Sequence, residues 1–109
     1  MSSKTVPPWT KGEWIPEFKS TYNPDAKAYQ TTLFGMDKEE KALVGFAMGE
    51  TKKECEANAW ILAASKDLLR CLQDFMKDRP TITDEEIKRL NDNAHIAISK
   101  ALYPLTKDN

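Results

Sequence analysis

The alternation of apolar and polar positions divides the chain into a first part that predicts strands and a second part that predicts helices. Before residue 50, short runs rich in aromatic and branched side chains predict strands at 13–19, 28–34 and 42–48. Turn residues separate the runs, with Asn23-Pro24-Asp25 after the first and a polar connection over 35–41 after the second. This pattern predicts a three-stranded antiparallel meander.

Two features predict how these strands are placed in the sheet. Pro16 has no N–H to donate to a ladder, so the first strand is expected at an edge or to start late. The third run is apolar at successive positions, which is typical of a strand enclosed on both faces. We therefore expect the third strand to be the most buried of the three.

Capping boxes mark two helix starts in the second part of the chain. Thr51 is followed by Glu54 and Thr83 by Glu86, the spacing at which the threonine accepts a backbone N–H and the glutamate reaches back. Pro80 disfavours helical geometry at the residue before it. The predicted helices cover about 52–78 and 84–103. Their short connection, 79–82, predicts an antiparallel hairpin.

These elements predict an α+β fold in the order β-β-β-α-α, within a single domain of 109 residues. Its parts are a flexible tail at 1–9, a small sheet at 10–49 and a helical hairpin at 51–103.

Both predicted helices are amphipathic, and the first has the wider apolar arc. At 100° per residue that arc spans about 180°, which is enough to pack on the sheet and on the second helix at once. Its members are Ile61, Leu62, Ala64, Leu68, Leu69, Leu72, Phe75 and Met76. The second helix has a narrower arc, expected to cover the first helix or the sheet, formed by Ile87, Leu90, Ala94, Ala97, Ile98, Ala101 and Leu102.

Four uncharged residues depart from this pattern. Trp60, Ile96 and Tyr103 lie outside the apolar arcs, and Ile96 and Tyr103, seven residues apart, are expected on one face of the second helix. They are either isolated exposed side chains, which are normal on any surface, or anchors buried against another copy or a partner. Asn58 is a polar residue inside the apolar arc of the first helix. It either bonds backbone groups at a strand end, fixing how the helix docks, or contacts a ligand in a pocket.

Charge excludes several classes of partner. The 16 basic and 17 acidic side chains nearly cancel, whereas a nucleic-acid binder or a polybasic membrane anchor needs concentrated positive charge. There is no apolar run of about 18 residues, and the first twenty residues lack the apolar stretch of a secretion signal. We expect a cytoplasmic protein that binds neither nucleic acid nor a membrane.

Candidate catalytic chemistry is sparse. Cys55 and Cys71 lie about 24 Å apart along one predicted helix, too far for a disulfide, and are expected to be small buried or half-buried hydrophobes. With His95 they lack metal-ligand spacing. His95 borders the apolar arc of the second helix, where a partly packed imidazole is expected. The scattered glycines form no phosphate-binding loop. We predict no catalytic residue, no cofactor and no metal site.

One stretch carries a family resemblance. The segment from Glu54 to Leu72, ECEANAWILAASKDLLRCL, resembles the E-x-E-A-N-A-x-L-I-A-A-A-P-x-L-L-x-A-L signature of small tailed-phage and prophage proteins. Upstream, 10–14 is similar to their T-P-G-P-W segment. The chain differs at Lys11 and Glu13, at Trp60, and at Ser65-Lys66, which replaces Ala-Pro. The resemblance implies a phage origin and a three-stranded sheet with a helical hairpin, and no reaction.

Two classes of function remain. The first is a non-enzymatic phage accessory protein that binds a host protein or a small signalling ligand, as in host-defence antagonism. The second is a self-assembling structural or regulatory protein without a ligand. They differ in where Trp60, Ile96 and Tyr103 should be buried: against a foreign partner or ligand in the first class, and within a symmetric contact of a homo-oligomer in the second. With Asn58 these residues form the candidate interface or ligand surface.

Overall fold

The computed structural model describes residues 8–17, 19–77 and 79–106. Most of the predicted tail, 1–7, lies outside the described residues. The strands are β1 (Glu13–Pro16), β2 (Thr21–Asn23), β3 (Ala28–Asp37) and β4 (Glu40–Gly49). The helices are α1 (Lys52–Phe75), α2 (Asp84–Ala101) and α3 (Tyr103–Thr106). The predicted α+β class is confirmed.

The sheet has four antiparallel strands with β3 at its centre. β4 pairs along one side of β3, while β1 and β2 pair with opposite halves of its other side, at Leu33–Met36 and Ala28–Gln30. β1 and β2 therefore form one interrupted edge strand, and the predicted meander is confirmed in outline only. The predicted first strand, 13–19, covers only 13–16 in the structure, and among the described strands β1 pairs with β3 alone, so the edge position expected from Pro16 is confirmed.

The prediction that the third run is the most enclosed strand is wrong. β4 pairs only with β3, and its Leu43 and Phe46 are 59% and 52% exposed. The enclosed strand is β3, whose Thr31 and Leu33 are buried, because it alone has partners on both edges among the described strands.

The two turns follow their side-chain chemistry. Asn23 Oδ1 accepts from the backbone N–H of Asp25 at 3.0 Å, and Lys27 completes the turn with φ 53°. The predicted polar connection over 35–41 is shorter in the structure, because β3 runs to Asp37 and β4 resumes at Glu40.

Both predicted helix starts are confirmed. Thr51 Oγ1 accepts from Glu54 N–H and Thr83 Oγ1 from Glu86 N–H, each at 3.1 Å. The return bond of the capping box differs. Glu54 accepts from the N–H of Glu50, one residue before the cap, and the Glu86 carboxylate pairs instead with Arg79.

Both helices end earlier than predicted. α1 ends at Phe75 rather than 78, and Asp78 lies outside the described residues. α2 ends at Ala101 rather than 103, and the chain turns at Leu102 into α3. Pro104 is the second residue of α3, where a missing N–H breaks no intrahelical bond.

Small side chains form the contact between α1 and the sheet. Leu33 and Ala47 of the sheet pack with Ala59 and Ala63 of α1. The approach is close at the start of α1, where a Cβ added at Gly49 would lie 2.5 Å from Cys55 N.

The prediction that the wide arc of α1 forms the core is therefore wrong for most of its members. Only Ala64 of that arc is buried, whereas Ile61, Leu62, Leu69, Leu72, Phe75 and Met76 are exposed. The alanine face brings the helix closer to the sheet than a leucine face could. The alanine face therefore forms the contact with the sheet, and the leucines face outward.

Candidate functional site

The four residues predicted as a binding surface lie in three different places. Trp60 and Tyr103 meet between α1 and α3, Ile96 lies on α2 beside a charged cleft, and Asn58 lies at the edge of β4. They do not form one site. Their role in binding stays a prediction, and each location has its own chemistry.

The side-chain amide of Asn58 holds the end of the sheet. Its Nδ2 donates to the backbone carbonyl of Met48 at 2.7 Å. β4 is an edge strand, so a carbonyl that does not pair with β3 needs another donor. This bond is the strand-end contact that the structural interpretation of Asn58 requires.

Trp60 and Tyr103 form an aromatic pair, with ring centroids 4.6 Å apart and planes tilted by 45°. The sequence placed Tyr103 on the same face of the second helix as Ile96. That prediction is wrong, because α2 ends at Ala101 and the turn into α3 carries Tyr103 to α1 instead. Trp60 is half-buried and Tyr103 is 45% exposed, so the pair is both packed and accessible.

We call the space beside this pair the aromatic groove. It has a volume of about 670 Å³ and lies between α1, α3 and the interrupted β1–β2 edge. Ser20 and Thr31 share a hydroxyl hydrogen bond of 2.7 Å in its wall. Lys19 and Lys52 line it as well and are exposed. Glu17 and Glu56 also line it, so the groove combines an aromatic wall with hydroxyl, ammonium and carboxylate groups.

Ile96 is 70% exposed and lines a second cavity, of about 510 Å³, which we call the charged cleft. Lys100 crosses this cleft, with its Nζ 3.1 Å from Asp67 Oδ2 and 3.6 Å from Glu13 Oε1. These ion pairs join β1, α1 and α2. They neutralise much of the charge in the cleft.

Lys66, also in this cleft, is a residue that sequence reasoning missed. It is 6% exposed, and its ammonium donates to the backbone carbonyls of Thr10 and Gly12. Burial lowers the pKa of Lys66, and nearby Arg70 lowers it further. A lysine on a helix is normally solvated, and no local pattern marks this one, because its acceptors lie more than fifty residues away along the chain. Through these hydrogen bonds Lys66 holds α1 to the segment that leads into β1.

A second ionic cluster closes the connection between the two long helices. Asp74 accepts from Arg79 at 2.9 Å and from Arg89 at 2.8 Å, and Arg79 also pairs with Glu86 at 3.1 Å. The hydrogen bond from Arg89 lowers the pKa of Asp74 below its usual value. This cluster has a structural role, since it ties the end of α1 to the start of α2.

The two cysteines and the histidine are the remaining candidate reactive side chains. Both cysteines are free: Cys55 is buried, with Sγ 3.3 Å from Thr31 Oγ1, and Cys71 is half-buried, as predicted. His95 is exposed, so the predicted partial packing of its imidazole is wrong. Within the described ranges, no three His, Cys, Asp or Glu side chains are grouped as metal ligands. No helix in this part of the chain is long and apolar enough to cross a membrane.

The two sides of the α1–α2 hairpin differ in polarity. One side holds the charged cleft, to which α1 contributes Asp67, Arg70 and Asp74, and α2 contributes Asn93, Ile96 and Lys100. The opposite side, which we call the apolar side, presents seven exposed aliphatic side chains. They are Ile61, Leu62, Leu69, Leu72 and Met76 of α1, with Ile87 and Ile98 of α2. The sequence predicted all seven as apolar-arc members packed in the core or on a neighbouring element, five of them on the first helix and Ile87 and Ile98 on the second.

The chain was compared with protein families, curated proteins and solved structures. The family model described as "Salmonella phage P22 protein Y8K6" matches residues 1–104. No curated protein and no solved structure matches the chain. The family match supports the expected origin as a small phage protein.

Proposed function

The chain belongs to the Salmonella phage P22 protein Y8K6 family, and from this premise we propose that it is a phage accessory protein that acts by binding rather than by catalysis. The proposal places it as a homo-oligomer in the cytoplasm of the bacterial host. Its target is a host protein or a small signalling ligand, which is the mode of action of a host-defence antagonist.

The observation that carries this proposal is the Trp60–Tyr103 pair in the wall of the aromatic groove. Tryptophan and tyrosine are the side chains most often found at the energetic centres of binding surfaces. The groove volume, about 670 Å³, falls within the range of about 300–1,000 Å³ in which small ligands bind. The Ser20 hydroxyl, the two lysines and the two glutamates of the lining supply polar contacts that would orient such a ligand.

Capture from the bacterial host tests the proposal. The tagged protein is recovered from a host lysate and examined by native mass spectrometry, together with Trp60→Ala and with Ile96→Ala as the matched control outside the groove. We expect a bound molecule or host protein on the wild type and on Ile96→Ala, and its loss from Trp60→Ala. The proposal fails if nothing is retained, or if Trp60→Ala retains as much as the wild type while circular dichroism shows it folded.

The apolar side of the hairpin favours the second candidate function, a self-assembling structural or regulatory protein without a ligand. Seven exposed aliphatic side chains on one side of a hairpin are typical of a surface that another chain covers. The two candidates make different predictions for the groove. A purely self-assembling protein would hold no molecule in the groove. Altering its apolar side would abolish its assembly and change nothing else.

A further inference from the structure

We infer that a second copy of this chain covers the apolar side, so that two α1–α2 hairpins pack together as a four-helix layer. This inference deepens the homo-oligomer part of the proposed function and rests on it. It assigns the surface, the helix that forms its centre, and the kind of partner.

The pattern along α1 is that of a helix-packing seam. Leu62, Ser65, Leu69, Leu72 and Met76 follow one another at spacings of three, four, three and four residues, and all are exposed. This alternation is the a/d repeat by which one helix packs its side chains into the holes of another. Within the chain, α1 directs other residues at the sheet and at α2, so the seam has no covering helix among the described elements.

The polar groups at the seam already have hydrogen-bond partners within the chain. The one polar member, Ser65, donates its hydroxyl to the carbonyl of Leu62 at 2.6 Å, so it can be covered without losing a bond to water. At the N-terminal end of the seam, the amide of Asn58 is already bonded to Met48. The charged residues of α1 in this region, Asp67, Arg70 and Asp74, line the cleft on the other side.

The exposed area matches what a stable dimer buries. A large aliphatic side chain has on the order of 120 Å² of apolar surface, and the seven are on average about half exposed, so the apolar side presents on the order of 450 Å² of apolar surface. A standard specific interface buries about 800 Å² on each partner, of which a little over half, about 450 Å², is apolar. The apolar side also lies within the range of about 300–600 Å² of the largest apolar patch of a monomer, and such patches are often interaction sites.

The composition of the core argues for a second copy rather than a foreign protein. The buried apolar side chains within the described residues are Leu33, Ala47, Cys55, Ala59, Ala63, Ala64, Leu90 and Ala97. Only two of these eight are large. A core of mostly small side chains contributes little hydrophobic stabilisation, so burial of the exposed apolar side would add a large share of the chain's stability from the moment it is made. A second copy is present wherever the chain is synthesised, whereas a host target is met later. Self-complementary apolar interfaces of this kind are typical of permanent homodimers.

Light scattering after size-exclusion chromatography tests the inference. The wild type is expected at twice the chain mass of 12.4 kDa. Leu72→Glu places a charge in the middle of the seam, at a side chain that a lone chain leaves 63% exposed. It is expected at the mass of a single chain. Ile96→Glu, the matched control, alters the 70% exposed isoleucine on the cleft side and is expected to keep the wild-type mass.

The inference is overturned if the wild type runs as a single chain at high concentration, if Leu72→Glu keeps the wild-type mass, or if Ile96→Glu dissociates the protein as readily. Should Leu72→Glu fail to fold, Leu72→Ala takes its place. The unfolding midpoint of Leu72→Ala must then be lower than that of the wild type at the same protein concentration. It must also rise as the protein concentration rises. A single-chain wild type that still loses its captured molecule in Trp60→Ala would reject the dimer and leave the binding proposal in place. A dimeric wild type that captures no molecule would support the dimer and reject the binding proposal.

Discussion

Leu72 offers the clearest energetic test, because the lone chain and the dimer give it different environments. Burying a leucine side chain fully is worth about 1.5–3 kcal/mol. In the lone chain 63% of Leu72 is exposed, so about a third of that value is at stake, and Leu72→Ala should lower the free energy of unfolding by at most about 1 kcal/mol. In a dimer that covers the seam, the same change removes a buried leucine and costs about 2–5 kcal/mol per copy.

The assay is urea unfolding followed by circular dichroism, at two protein concentrations that differ by about a hundredfold. Ile96→Ala is the matched control, since Ile96 is 70% exposed on the cleft side and its truncation should cost little in either state. We expect Leu72→Ala to cost clearly more than Ile96→Ala and the wild-type midpoint to rise with concentration. Equal costs for the two variants, together with midpoints independent of concentration, would refute the reasoning.

Three further predictions concern side chains inside one copy. Asn58→Leu should lower the free energy of unfolding by about 1 kcal/mol, because the Met48 carbonyl loses its donor, and should leave target capture intact; unchanged stability with lost capture would instead assign Asn58 to a ligand. The pKa of Asp74 is lowered from 3.8, so its stabilising effect is present above that pH and is lost as the pH falls below it. The wild type should therefore lose more stability than Asp74→Asn on acidification, and equal acid sensitivity would contradict this. The pKa of Lys66 is lowered from 10.5, chiefly by burial, so the unfolded chain holds more protons just below pH 10.5. The stability of the wild type relative to Lys66→Met should rise as the pH increases toward 10.5, and a falling difference in denaturation experiments would count against it.

The features that could be predicted from the sequence are those determined by neighbouring residues. Thr51 and Thr83 cap their helices through a bond to a residue three positions on, so both helix starts are confirmed. The turn at Asn23 and the edge position of the strand that contains Pro16 depend on the chemistry of one residue each. The α+β class follows from these local elements.

The features that were predicted wrongly depend on contacts between distant parts of the chain. A helical wheel identifies the residues of α1 that avoid water, and does not say whether the cover belongs to the same chain. Leu69 and Leu72 were therefore placed in the core, where Ala59 and Ala63 in fact lie. Lys66 is buried because two carbonyls of the segment before β1 meet it in space. Tyr103 reaches Trp60 only because α2 ends two residues before it.

The candidate site was predicted only in part, because the contacts that form it also join distant parts of the chain. Trp60 and Tyr103 stood out because large aromatic side chains lay outside the apolar arcs, and the structure brings these two together. Ile96 stood out by the same criterion and lies apart from them. The exposed seam gave no such signal, because its residues fitted the amphipathic pattern of a core helix.

Hydroxyl-radical footprinting of the wild-type protein in solution tests the central claim most directly, because it reports which side of the hairpin is covered. Ile61 and Ile96 are the same residue type on opposite sides, and a single copy leaves them 52% and 70% exposed. If a second copy covers the apolar side, Ile61 should be labelled far more slowly than Ile96, and dilution until the copies separate should restore its labelling. Labelling of Ile61 at close to the rate of Ile96 at every concentration would contradict the claim.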